Sequence, residues 1–130
     1  MTKTSLKKIF ESHGVILAYQ FGSSINGKTS KISDVDVAVL FEKEEPPLRK
    51  LLQLSSKLSD YFKTDRLDLA RLNNSSPLFK HRVAVSGNVL FEKYAGLSNQ
   101  FAYTALQEYE DNKYFEDQYF KSFKERLNYA

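Results

Sequence analysis

GSSINGKTSKISDVDVAVLF, residues 22–41 of the chain, joins a Gly-Ser turn to a largely apolar run through a polar loop. The run itself, VDVAVLF at 35–41, reads as a β-strand. Alternation puts Val35, Val37, Val39 and Phe41 on one face and Asp36, Ala38 and Leu40 on the other. Immediately before the loop, VILAYQF at 15–21 is rich in strand-forming side chains and ends at Gly22-Ser23, where the chain must turn sharply. Two strands so joined are expected to pair.

Working outward, Leu6, Ile9, Phe10 and His13 recur at helical spacing, and Gly14 is a C-terminal cap, which predicts a helix over 4–13. Pro46 and Pro47 open a second helix over 46–62, with Leu48, Leu51, Leu52, Leu58, Tyr61 and Phe62 as its apolar face. RLDLARL at 66–72 alternates again and reads as a third strand, with Arg66, Asp68 and Ala70 on one face. Ser76 caps a short helix with Pro77 in its first turn, ending near Gly87; NVLFE follows as a brief edge strand. Residues 97–127 contain neither Pro nor Gly and read as a long helix. The expectation is an α+β, two-layer domain: a small mixed sheet of three to four strands covered by helices. It spans 1–130 as one unit, with a core over about 1–93 and a helical C-terminal extension over about 97–127.

The chemistry sits in the opening stretch. Asp34 and Asp36 lie two residues apart at the start of a strand, so their carboxylates point to one face. At roughly 5 Å and an effective dielectric near 20, two ionised carboxylates repel by about 3 kcal/mol. Folding alone gains nothing from that cost, whereas a divalent cation removes it. Mg²⁺ binds through one or two carboxylates plus substrate phosphates. Asp68, on the polar side of the third strand, reaches the same spot if that strand neighbours the second. Upstream, Gly22 permits close backbone approach and Ser23 offers a hydroxyl and an N–H to a phosphate. A phosphate site beside a carboxylate pair describes a nucleotide site. The plainer reading makes Ser33-Asp34 a turn signal and Asp36 an exposed strand residue.

The same segment also satisfies a P-loop pattern, since Gly22 is followed after four residues by Gly27-Lys28-Thr29. A P-loop needs its Lys and Thr to open a helix of several turns. Here the next strand begins about six residues after Thr29, which leaves room for a single turn, and the match is read as incidental.

Gly22-Ser23, ten intervening residues, Asp34-x-Asp36 and a third Asp68 in a downstream LDL strand resemble the polymerase-beta-like nucleotidyltransferases, and the small size resembles their minimal members. The likeness extends over nearly the whole chain, including Gly87-x-x-Leu90-Phe91-Glu92 and a helical C-terminus. It implies that Asp34, Asp36 and Asp68 are catalytic and hold Mg²⁺, two ions in all, while Gly22 and Ser23 bind the phosphates of ATP. It implies in-line attack on the α-phosphorus, with Asp68 helping to deprotonate the attacking hydroxyl. Many members carry an Arg in this loop where the chain has Ser24, Ile25 and Asn26, and Lys28 or Lys31 is the available substitute. Such proteins commonly act as antitoxins of HEPN ribonuclease toxins, some transferring AMP from ATP to a tyrosine of the toxin. The partner expected is therefore a cognate HEPN toxin in a complex. Two alternatives stand beside it: a binding-only antitoxin, and transfer to another acceptor such as an antibiotic or RNA.

Composition is consistent with that reading. The chain has 130 residues, 42% of them hydrophobic, enough for one domain, and no Cys, which excludes disulfides and thiolate metal sites. No apolar run suits a signal peptide or membrane span, so a cytoplasmic protein without membrane association is expected. A formal charge of +3, scattered among acids, gives no reason to expect direct nucleic-acid binding. Eight Tyr and ten Phe are dense in the last third; such a stripe is more often core than interface, yet it offers more aromatic surface than so small a core should need, and part of it is read as a partner surface. Neither His13 nor His81 has the neighbours of a triad or zinc site.

Overall fold

The computed structural model describes residues 3–22, 35–43 and 46–128. Within them the order is α1 (Lys3–Ser12), β1 (Val15–Phe21), β2 (Val35–Phe41), α2 (Leu48–Phe62), β3 (Leu67–Arg71), α3 (Pro77–Ser86), β4 (Asn88–Glu92) and α4 (Leu97–Asn128). The strands form one sheet in the order β3-β2-β1-β4. β1 pairs antiparallel with both β2 and β4, while β2 and β3 are parallel, joined through α2 as parallel neighbours must be. The expected α+β class and mixed sheet are therefore observed.

The central strands are apolar on both faces because helices cover both. On one face, Leu6 and Phe10 of α1 and Leu54 and Leu58 of α2, each pair four residues apart, pack with Val15, Val37, Val39, Phe41 and Phe91. On the other, Leu17, Tyr19 and Ala38 meet Leu72, Val83 and Phe79, with Leu97 and Phe101 of α4 alongside. Each such leucine or valine contributes about 1.5–3 kcal/mol through burial.

α2 differs from its expected face. Leu54 is fully buried, whereas Leu48 and Leu52 are 69% and 62% exposed. At 3.6 residues per turn, Leu51, Leu54, Leu58, Tyr61 and Phe62 share one side, while Leu48 lies about a quarter-turn and Leu52 about a third of a turn from its centre. The helix also begins after Pro47, which occupies its N-cap at φ −59° and ψ 149°.

Three local devices set the frame. Gly14, at φ +77°, ends α1 and accepts a hydrogen bond from the Glu42 N–H at 3.0 Å, tying the start of β1 to the end of β2. Asn73 extends the β2–β3 pairing with its side-chain amide: Oδ1 accepts from Phe41 N–H at 2.9 Å and Nδ2 donates to Phe41 C=O at 3.0 Å. Ser76 caps α3 by accepting from Phe79 N–H at 3.1 Å, with Pro77 behind it. At the far end of α3, a Cβ on Gly87 would lie 2.6 Å from Val83 O and 3.3 Å from Gln20 O, so only glycine lets the helix close down on β1.

The first half of α4 belongs to the domain. Glu92 Oε1 accepts from Ser98 N–H at 2.8 Å, Ala105 is buried, Lys80 pairs with Glu108 at 2.6 Å, and His81 stacks on Tyr109 with ring centroids 4.6 Å apart. Beyond this point the helix leaves the core. Every described side chain from Glu110 to Arg126 is exposed, Tyr114, Phe115, Tyr119 and Phe120 among them. Among the described residues no helix is long and apolar enough to cross a membrane.

Candidate active site

Register builds the site. Phe21 of β1 stands opposite Asp36 of β2, and Asp36 stands opposite Asp68 of β3, so the three form one row across three strands. Cross-strand partners share a face, and here it is the face of Ala38 and Ala70, the one α3 covers further along. The condition attached to Asp68 is thus met in the fold: β3 is the neighbour of β2, and Asp68 stands opposite Asp36 on the same face.

The two carboxylates differ in setting. Asp36, on a central strand, is buried at 9% exposure; Asp68, on the edge strand, is open to solvent. Gly22 explains how Asp36 is accommodated. Its backbone, at φ +91°, lies directly against the Asp36 carboxylate, and a Cβ there would meet Oδ2 and sit 3.0 Å from Cγ. The sequence reading assigned Gly22 to phosphate approach; the structure shows that the position also has to admit a neighbouring carboxylate. Ser23 and Asp34, with Lys28 and Lys31, lie outside the described residues.

The donor set can be tested against a metal. Two aspartates in one row, on strands about 4.8 Å apart, one under a glycine and the other exposed, present oxygen donors only. That set suits a hard cation such as Mg²⁺, which keeps several waters and accepts few protein ligands. Among the described residues no group of three His, Cys, Asp or Glu side chains converges, so Asp36 and Asp68 are the two carboxylates they contribute.

Sequence reasoning passed over an aromatic wall. Phe21, adjacent to Gly22 and in the row of Asp36 and Asp68, packs edge-on against Phe79 of α3 at 5.5 Å between centroids. Its strand periodicity was legible; that it borders the carboxylates was not, because this follows from register. The two histidines take no part: His13 Nδ1 lies 2.7 Å from Ile9 C=O at the end of α1, and His81 is held in the α3–α4 contact. Tyr19, below the row, has its hydroxyl pushed up to about 12 by burial, reinforced by Glu92, and stays protonated at neutral pH. Clefts of about 530 Å³ beside Lys8, His13 and Lys57, and about 280 Å³ beside Gly14, Phe41 and Lys50, lie at the opposite end of β1 and hold no converging carboxylates. The row of Asp36 and Asp68 lies at the Gly22 end.

Much of the chain is similar to known proteins. The family model described as polymerase beta, nucleotidyltransferase matches residues 4–95. The protein adenylyltransferase MntA of Aphanizomenon flos-aquae is 35% identical over 82 residues, covering 56% of this chain and 54% of that protein. The chain thus matches about half the length of this curated relative. Among solved structures, a toxin-antitoxin complex with AMP-PNP contains a chain similar at a TM-score of 0.72 and 21% identity, with 95% of this chain and 99% of that one covered. A complex of tri-AMPylated Shewanella oneidensis HEPN toxin with MNT antitoxin contains another, at 0.68 and 20%, with coverage of 94% and 95%. At these identities the structural likeness is one of fold.

Proposed function

We infer that this chain, which belongs to the polymerase beta nucleotidyltransferase family, is a Mg²⁺-dependent protein adenylyltransferase of the cytoplasm that moves AMP from ATP to a tyrosine of a cognate HEPN ribonuclease toxin and thereby acts as its antitoxin. The observation that carries this reading is the register of Asp36 against Asp68 beside Gly22. The adenylyltransferase relative and the AMPylated toxin in a complex of the same fold support the choice of AMP and of acceptor. That toxin is tri-AMPylated, and serial transfer is part of the reading.

Each residue then has a task. Asp34, Asp36 and Asp68 would hold Mg²⁺, which when bound would neutralise phosphate charge and favour ionisation of the acceptor hydroxyl. Gly22 and Ser23 bind the phosphates on the β1 side of Asp36. Asp68, exposed on the far side, accepts the hydroxyl proton. The acceptor oxygen bonds to the α-phosphorus, the bond from that phosphorus to the bridging oxygen breaks, and pyrophosphate leaves. The exposed aromatics on the distal half of α4 support docking of the toxin, since aromatic side chains are preferred interface anchors.

The experiment is to incubate the protein with Mg²⁺, each labelled nucleoside triphosphate and the cognate toxin, and to locate the adduct by mass spectrometry. AMP on a toxin tyrosine is the expected result. Absence of transfer, with toxin inhibition preserved in Asp36→Asn, would establish instead a binding-only antitoxin, the second reading that the α4 surface favours.

A further inference from the structure

Arg66 stands two positions before Asp68, immediately ahead of β3, and continuing the alternation of that strand by one residue would give it the face of Asp68. Its backbone is fixed at the border of the site: the C=O accepts from Val35 N–H at 3.3 Å and the N–H donates to Thr64 Oγ1 at 3.0 Å. The residue is exposed, and among the described residues its guanidinium forms no ion pair, not even with Asp68. An exposed arginine one residue before β3, in no ion pair among the described residues, can meet an incoming anion.

Which anion follows from sidedness. Gly22 lies beyond the end of β1, on one side of Asp36; Arg66 leads into β3, on the other. In-line displacement brings the acceptor hydroxyl to the α-phosphorus from the side opposite the departing pyrophosphate. With the phosphates held at Gly22 and Ser23, as the preceding reading has it, the acceptor enters on the β3 side. A guanidinium there meets whatever carries the attacking hydroxyl. Its planar fork matches phosphate oxygens.

We propose that Arg66 is an acceptor-side residue that grips the phosphodiester left on the toxin by a preceding AMP transfer, and so sets how many AMP groups are added. In each later cycle a ribose hydroxyl of the attached AMP replaces the tyrosine hydroxyl. A new oxygen–phosphorus bond forms to the incoming AMP, the bond to pyrophosphate breaks, and the hydroxyl proton passes to Asp68. The inference rests on the proposed function.

The test compares Arg66→Ala, Arg66→Gln and Arg71→Ala with the parent protein; Arg71 lies on the opposite face of β3 and is the control for net charge. Products are resolved by mass spectrometry over time, affinity for a nonhydrolysable ATP analogue with Mg²⁺ is measured separately, and thermal melts verify folding. Both Arg66 variants should make the first adduct at near the parent rate and slow the second about tenfold or more, the size of one charge-assisted phosphate contact. ATP-analogue affinity should hold within twofold, and Arg71→Ala should match the parent. Equal slowing of first and later additions would place the contact on the unmodified toxin and overturn the proposal. So would weakened analogue binding, unchanged later additions, an Arg71→Ala phenotype of equal size, or a parent protein that adds one AMP and stops. A parent that transfers nothing defeats the proposed function instead.

Discussion

The backbone of Gly22 lies against the carboxylate of Asp36, so closely that a Cβ on the glycine would meet Oδ2 and stand 3.0 Å from Cγ. Gly22 follows β1 and Asp36 lies in β2, and their contact bounds the carboxylate row on the β1 side. Gly22→Ala faces two independent obstacles, a φ of +91° and the occupied space. Positive φ in a residue with a side chain costs about 1–3 kcal/mol. The variant is expected to lose about that much stability by urea denaturation and to lose transfer activity, because Asp36 must swing away to make room. Wild-type activity in Gly22→Ala would show that the carboxylate is not needed where it stands.

Asp36→Asn and Asp68→Asn keep side-chain shape and remove charge. Asp68→Asn is expected to reduce transfer by about 10²–10⁴-fold, the usual contribution of a positioned general base, with an unchanged melting temperature, since the residue is exposed. Asp36→Asn should abolish transfer and also leave the fold in place. Retained activity in either would remove that residue from the site.

Truncation separates the two halves of α4. Cutting after Gly96 removes Phe101, Ala105 and Tyr109 from their packing against Tyr19 and α3, and the protein should unfold or melt far lower. Removing residues 113–130 takes away only exposed described side chains. That shorter protein should melt within a few degrees of the full chain yet bind the toxin at least tenfold more weakly, measured by calorimetry. Full toxin affinity would move the interface elsewhere.

Tyr19 makes stability fall at alkaline pH. Its folded hydroxyl titrates near 12 against an ordinary value of 10, so between those values the unfolded chain loses a proton that the folded one keeps. Deprotonation therefore favours unfolding: the contribution is complete below pH 10 and lost as pH rises through 12. Tyr19→Phe should flatten this part of the stability profile in denaturant titrations between pH 9 and 11.5.

Strands β1 and β2, the cap at Ser76, the stop at Gly14 and the spacing of Gly22-Ser23 from Asp34-x-Asp36 could all be read from residue order, because each is a local signal: a two-residue or 3.6-residue period, a capping hydroxyl, a glycine at a reversal. Sidedness and register could not. Leu48 and Leu52 carry the same apolar signal as Leu51, and only the seat of α2 on the sheet decides which of them is buried. Asp68 was a carboxylate on an isolated strand until β3 paired parallel with β2 and set it opposite Asp36. The aromatic run of α4 is uniform as sequence, yet its first half is core and its second half surface, because the domain ends partway along the helix. Local chemistry names the residues that can do the work. Long-range pairing, in which a one-residue slip would turn Asp36 or Asp68 to the other face, decides whether they meet.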